Sequence, residues 1–330
     1  MKAIRFLAWS FAWLIAFFCV LWAFGALYYD FPIHGSGQWA AILFVVLLLA
    51  VLIFIRGQGK KLAAVFLAFG IIVCWWRTLK PTNNRQWQPD VAETGWAEIH
   101  GDEVTLHNVR NCDYRTAEDY DVHWETRTVH LSQLNGMDLS IDYWGSPWMA
   151  HPIVSFRFDD ALPLCFSIET RKVIGQTYSA VGGLYRQYTL IYIVADERDS
   201  IRVRTNYRLG EDVYLYRTLA SPAQARARFL QYIDTMNALH NHPRWYNAIT
   251  TNCTTSIRTQ QPTNERAPWD WRLLVNGKAD ELLYERHVIA TGGLGFADLK
   301  KHSHINELAH AADKAPDFSK LIRAVLPRTD

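Results

Sequence analysis

The chain has 330 residues and a formal net charge of +2, from 34 Lys and Arg against 32 Asp and Glu. Its basic residues form no footprint of the kind nucleic acid requires, and nucleic acid is excluded as a partner. Up to residue 80 the only acid is Asp30, against Lys2, Arg5, Arg56, Lys60, Lys61, Arg77 and Lys80, which leaves 27 basic and 31 acidic residues for the remainder. The early basic residues flank apolar runs, as they do beside a lipid bilayer.

Three such runs, residues 6–29, 39–55 and 62–76, hold 24, 17 and 15 residues without a charge. About 20 apolar residues span a bilayer core, so the first run suffices, the second is close and the third is short. Residues 1–80 are read as three transmembrane helices. Lys2 and Arg5 precede the first, no Lys or Arg lies between the first two, and Arg56, Lys60 and Lys61 fill the next loop. The positive-inside rule then puts the N-terminus in the cytoplasm and exports everything after Lys80. Two other readings stay open: a cleaved signal peptide for the first run, and an interfacial helix for the third, which would leave the domain cytoplasmic.

Residues 81–93, rich in Pro, Asn and Gln, read as a linker. The soluble domain is expected over 94–260, followed by a helical C-terminal extension over 261–330. Strands are predicted at 103–109, 126–131, 137–143, 153–158, 164–170, 188–194, 201–207 and 213–217, separated by turns such as Asn135-Gly136 and Asp159-Asp160. The fold class is α+β, with a mainly antiparallel sheet and flanking helices. Ser221-Pro222 marks a helix start, with Phe229, Ile233, Met236 and His240 at helical spacing to about Asn241. Further helices are predicted at 279–287 and 296–312.

Cys253 is the candidate nucleophile, because the cluster Thr250-Thr251-Asn252-Cys253-Thr254-Thr255 suits a loop feeding a helix start, where unpaired N–H groups favour a thiolate. A buried, inert Cys is the competing reading. A thiol needs a base, and His151 opens a strand from which an imidazole can project. Glu169 ends the next strand, so a hairpin would set it beside His151 to orient the ring. Both could equally be solvated or satisfied side chains. His240-x-His242 and His302-x-His304 lack a third ligand at metal-site spacing, and no Gly-rich phosphate loop is present, so neither metal nor cofactor is expected. Three cysteines, Cys112, Cys165 and Cys253, fall in the soluble part, and a disulfide, if formed, is expected to join Cys112 to Cys165 and spare Cys253.

Several motifs now combine: Val109-Arg110-Asn111-Cys112-Asp113-Tyr114-Arg115, Ala150-His151 with Ser155-Phe156, Ser167-Ile168-Glu169-Thr170-Arg171-Lys172, Val194-Ala195-Asp196-Glu197-Arg198-Asp199, and Tyr246-Asn247 leading to Asn252-Cys253-Thr254-Thr255. Together they resemble the periplasmic domain family named after Lnb, a bacterial lipoprotein N-acyltransferase, over about residues 94–258. That family is in turn similar to the permuted papain-like thiol enzymes, including NlpC-like peptidases, in which the His strand precedes the Cys helix. The resemblance implies Cys253 as nucleophile, His151 as general base and Glu169 as the residue orienting it. It also implies Asn252 with the Cys253 backbone N–H as oxyanion support. The enzyme naming the family carries this domain at its N-terminal end, whereas here three apolar runs precede it.

The expectation is a multi-pass protein of the bacterial inner membrane with a periplasmic Cys-His acyltransferase or hydrolase domain. Its thioester chemistry would take a phospholipid acyl donor and a lipoprotein or peptide acceptor. The alternatives are a periplasmic cysteine peptidase acting on cell-wall peptides, and a non-enzymatic membrane scaffold using some of the 14 Trp as contacts.

Overall fold

The computed structural model describes residues 2–33, 35–259, 266, 268–273 and 276–327. The boundary expected between 260 and 261 lies outside them. The chain divides into two compact units, one of Met1–Thr82 with Thr177–Thr189 and Trp245–Ala248, the other of Asn83–Gln176, Leu190–Arg244 and Ile249–Asp330.

The first unit is built on helices α1 (Lys2–Asp30), α2 (Gly37–Phe54) and α3 (Gln58–Thr78). All three are long and apolar enough to cross a membrane. Ala16, Leu48, Leu62 and Val65 pack between them, while Phe6, Leu14, Phe17, Leu43, Leu47 and Leu67 point outward. An outward apolar surface of this extent suits hydrocarbon rather than water. α3 outruns its 15-residue apolar stretch because it takes in Lys60, Lys61 and Arg77, whose long stems can carry charge past a helix end.

Beyond these helix ends the 177–189 segment is tied down within the same unit. The Trp76 indole donates to Asp30 Oδ2 at 2.6 Å, and the Arg186 amide donates to the same oxygen at 3.0 Å. The Arg186 guanidinium donates to the Trp76 and Leu79 carbonyls at 2.5 and 2.6 Å and stacks 3.8 Å over the Trp76 ring. A Cβ at Gly25 would fall 2.0 Å from Tyr185 Oη, so the ring packs this close to α1 because the position carries no side chain.

The second unit is α+β. Its strands are β1 (Trp96–His100), β2 (Glu103–Arg110), β3 (Asp113–Tyr114), β4 (Tyr120–Asp121), β5 (Trp124–His130), β6 (Leu134–Trp144), β7 (Ala150–Phe158), β8 (Leu164–Arg171), β9 (Thr189–Asp196) and β10 (Glu211–Arg217). The main sheet has the order β1-β2-β9-β8-β7-β6-β10, with β5 also on β2, and β3 with β4 forms a separate ribbon. Pairing is mainly antiparallel, with one parallel contact where β2 meets β9 at Arg110 and Ala195.

Side chains alternate between the two faces of the sheet. On one face Phe156 and Phe166 meet Phe229 and Tyr232 of α5 (Pro222–Asn241), with ring centroids 5.1–5.9 Å apart. α5 starts as expected at Ser221-Pro222, where Ser221 and Gln224 close a capping box. On the other face Ile153, Cys165, Val213 and Leu215 bury against Ile305, Ala309, Phe318 and Ile322 of the C-terminal helices. Each large apolar side chain so buried contributes about 1.5–3 kcal/mol.

Two predicted elements differ. The 201–207 segment is no strand: Asp196 caps α4 (Glu197–Ser200) by accepting from the Arg198 N–H, and a π-helical turn comes next over Val203–Tyr207. The cap and its acidic first turn override the β-branched pattern of Ile201, Val203 and Thr205. After α6 (Cys253–Thr259) and α7 (Ala279–Glu285), the helix predicted over 296–312 is broken into α8 (Phe296–Ser303) and α9 (Asn306–Ala311). His304 bridges to Tyr214, and the Ile305 N–H donates to Val213 O, so the edge of β10 captures the backbone between the two helices. A short α10 (Phe318–Leu321) is the last helix among the described residues.

Candidate active site

The site grows from the β7–β8 hairpin. Ile153 opposes Ser167 and Ser155 opposes Cys165, and continuing that register sets His151 opposite Glu169 on the same face. His151 Nε2 lies 2.7 Å from Ser167 Oγ and 3.2 Å from Glu169 Oε1, and the Ser167 hydroxyl donates to that oxygen at 2.6 Å. Arg204, from the π-helical turn, donates to Glu169 Oε1 at 2.8 Å and stands 3.0 Å from Asp142 on β6. One carboxylate oxygen is thus approached by imidazole, hydroxyl and guanidinium together.

The electrostatics reflect that crowding. Burial alone would raise the Glu169 carboxyl, but His151, Arg204 and the Ser167 hydroxyl hold it well below the usual carboxylate range. Burial would likewise depress His151. The Glu169 charge, and then Cys253, outweigh it and raise the imidazole to about 10. The ring is therefore cationic at neutral pH.

Cys253 is the first residue of α6, and its thiol is within hydrogen-bonding reach of His151. With Nε2 taken up by Ser167 and Glu169, Nδ1 is the ring nitrogen left for sulfur. The loop-to-helix turn is fixed by Asn252, whose Oδ1 accepts from the Thr255 N–H at 2.9 Å while the Asn252 N–H donates to Thr255 Oγ1 at 3.0 Å. That reciprocal pair is a helix cap, and it takes the Asn252 side-chain oxygen for backbone support.

The structure brings Cys253, His151 and Glu169 together and adds three residues that the sequence alone does not single out. Ser167 lies two residues before Glu169 on the same strand face, a spacing that could have revealed it. Arg204 is hidden in a segment whose pattern imitates a strand. Asn276, whose Nδ2 donates to Cys253 Sγ at 3.1 Å, carries no local signal at all.

The other groups considered have structural partners. Cys112 and Cys165 are buried free thiols in different clusters, Cys112 beside Tyr114 and Val203, Cys165 beside Ile153 and Val213. Burial, with Asp199 nearby, pushes Cys112 up to about 12, and burial pushes Cys165 well above the ordinary thiol range. His240 bonds Thr94 Oγ1 at 2.7 Å and His304 bonds Asp212 at 2.9 Å.

A strand histidine, an acid opposite it and a later helix-opening cysteine make up the order that the motifs suggested. Residues 120–277 match the family model of the Lnb N-terminal periplasmic domain. The match agrees with the motif resemblance and ends at Gly277, so the matched segment contains Asp142, His151, Ser167, Glu169, Arg204, Cys253 and Asn276. No curated protein and no solved structure matches the chain. The family match and the three apolar helices together support a membrane-associated protein with a periplasmic domain.

Proposed function

We propose that this is a multi-pass inner-membrane thiol enzyme whose periplasmic domain has Cys253 as nucleophile, His151 as general base and Glu169 as the group that orients the imidazole. The observation that carries the reading is the convergence of a thiol with a buried histidine whose far nitrogen is held by Ser167 and Glu169. The order of a His strand before a Cys helix supports a permuted papain-like arrangement. Lys2 and Arg5 at the start of the chain, with Arg56, Lys60 and Lys61 around the junction of α2 and α3, support an N-terminus in the cytoplasm and export of the chain beyond α3.

In this mechanism His151 already holds the proton given up by Cys253, the thiolate of this pair attacks an acyl carbonyl, and the imidazolium then gives its proton to the departing alcohol. The acyl group is left as a thioester on Cys253. An amine or water attacks that thioester next, which makes the enzyme an acyltransferase or a hydrolase. Carried over from the motif resemblance to a lipoprotein N-acyltransferase family, the proposed substrates are a phospholipid as acyl donor and a lipoprotein or peptide amine as acceptor.

The test is labelling of the full-length protein in spheroplasts with a lipid-like acyl probe that traps thiols, comparing wild type with Cys253→Ala and His151→Ala. Labelling at Cys253 that falls by about two orders of magnitude or more without His151 is the expected result. Folded wild-type protein that takes no acyl label, yet cleaves a cell-wall peptide, would replace acyl transfer by peptidase chemistry.

A further inference from the structure

Outside the Cys-His-Glu group, a polar side chain in direct contact with the nucleophilic sulfur is Asn276, 23 residues further along the chain than Cys253. It stands in the turn Asn276–Lys278, and that turn is clamped from two sides. The Gly277 N–H donates to Trp148 O at 3.1 Å, and Tyr143 Oη donates to Gly277 O at 3.1 Å. Lys300 Nζ in turn holds Tyr143 Oη at 2.9 Å and Asp280 Oδ2 at 2.7 Å. A Cβ at Gly277 would fall 2.3 Å from Pro147 O, so the approach that delivers Asn276 depends on a glycine beside it.

The amide itself is poorly rewarded for this placement. Among the described residues its one hydrogen bond is to Sγ, a weak acceptor, and its buried Oδ1 has no partner. Buried amides ordinarily find better partners than that. A donor held rigidly against sulfur, without a strong acceptor, is arranged for an acceptor that arrives with the substrate.

We infer that Asn276 is a further catalytic residue, the side-chain donor that stabilises the oxyanion formed when Cys253 attacks an acyl group. The inference rests on the thiol mechanism proposed above. Sulfur forms a bond to the carbonyl carbon, the C=O π pair moves onto oxygen, and Asn276 Nδ2–H donates to that oxygen. The carbonyl then re-forms, the ester C–O bond breaks, and the alcohol leaves with the proton from His151. The oxygen is one atom removed from sulfur, so a donor already touching Sγ reaches it by a small side-chain rotation. Asn252, whose Oδ1 is committed to Thr255, serves to hold the helix start that presents the thiol.

Two reagents separate this role from a merely structural one. Iodoacetamide alkylates a thiolate without forming an oxyanion, whereas a p-nitrophenyl fatty-acyl ester must pass through one. With the full chain in detergent, Asn276→Ala should slow acylation of Cys253 by the ester ~100-fold to 1,000-fold. Its alkylation rate should change by no more than about tenfold, the worth of the one weak hydrogen bond that the amide gives to sulfur. Asn276→Leu, which keeps the bulk of the amide without a donor or a charge, should show the same split. Equal loss of alkylation and acylation in both variants would make Asn276 a thiolate or packing group, and no loss in either would remove it from the mechanism. A wild-type protein that alkylates at Cys253 but is never acylated would instead overturn the acyl-transfer reading on which the inference rests.

Discussion

Two thiols lie against the same hairpin and differ in everything except burial. Cys165 sits on β8 itself, opposite Ser155, whose Oγ is 3.2 Å from its sulfur, and it is 0% exposed. Cys253 is brought to the other end of the hairpin by α6 and is only 8% exposed. Around Cys165 the neighbours are Ile153, Ile201 and Val213, with Glu197 adding a like charge, and the thiol is held in its neutral form. Around Cys253 stand a cationic imidazole and an amide donor. On the proposed mechanism, reactivity is decided by which polar groups the sheet presents and not by how much water reaches the sulfur.

The contrast breaks most sharply on substitution of each sulfur. Cys253→Ala should reduce turnover of an acyl ester to background, while Cys165→Ala should retain it and cost about 1 kcal/mol of stability, a typical value for a small core deletion. Loss of activity with Cys165→Ala and its retention with Cys253→Ala would invert the assignment.

A smaller effect, still large for a single side chain, is expected at Arg204. Arg204→Met leaves Glu169 and Asp142 facing each other without their shared cation and should destabilise the domain by about 3–5 kcal/mol. Calorimetric melting at neutral pH measures it, and an unchanged midpoint would mean that the two carboxylates find other partners.

pH sharpens the contrast further, because the surroundings of Cys253 hold a group whose charge changes on the alkaline side of neutrality. His151 holds its proton to about 10 when folded and to about 6.5 when unfolded, so its contribution to stability is whole below about 6.5 and is lost as pH rises through about 10. Glu169→Gln should flatten that alkaline decline in a plot of melting midpoint against pH. A wild-type curve already flat from about pH 7 to 10 would show that the pair is not coupled as described.

The smallest expected effect lies behind Arg204. Burial and then the Asp142 charge raise Glu211 to about 7, against the partial relief given by Arg208 and Arg204. The native state therefore loses stability as pH rises from the ordinary carboxyl range through about 7, and Glu211→Gln should raise the melting midpoint by a few degrees at about pH 8 and by less at about pH 5. Equal shifts at both values would assign the gain to packing.

How much of this is legible in the sequence depends on the range of the forces concerned. The His151–Glu169 pairing is legible because strand periodicity of two and the Asp159-Asp160 turn fix a register locally. Cys253 is legible because Asn252 and Thr255 spell a helix cap within one turn. Arg204 escapes notice because Ile201, Val203 and Thr205 imitate a strand, and the deciding cap, Asp196, acts from outside the run. Asn276 is hidden for a stronger reason. Its position is set by Trp148, Tyr143 and Lys300, which meet its turn only after the sheet and the C-terminal helices have packed. The same holds for the break at His304, which the edge of β10 imposes.

The hairpin register also orders events in time. A tight β7–β8 turn closes with little entropy, so the histidine and its acid can find each other early in folding. The helix bearing the thiol must close a far longer loop, and the Asn276 turn a longer one still. On the proposed mechanism a partly folded chain therefore carries its sulfur apart from its base until the long-range contacts form.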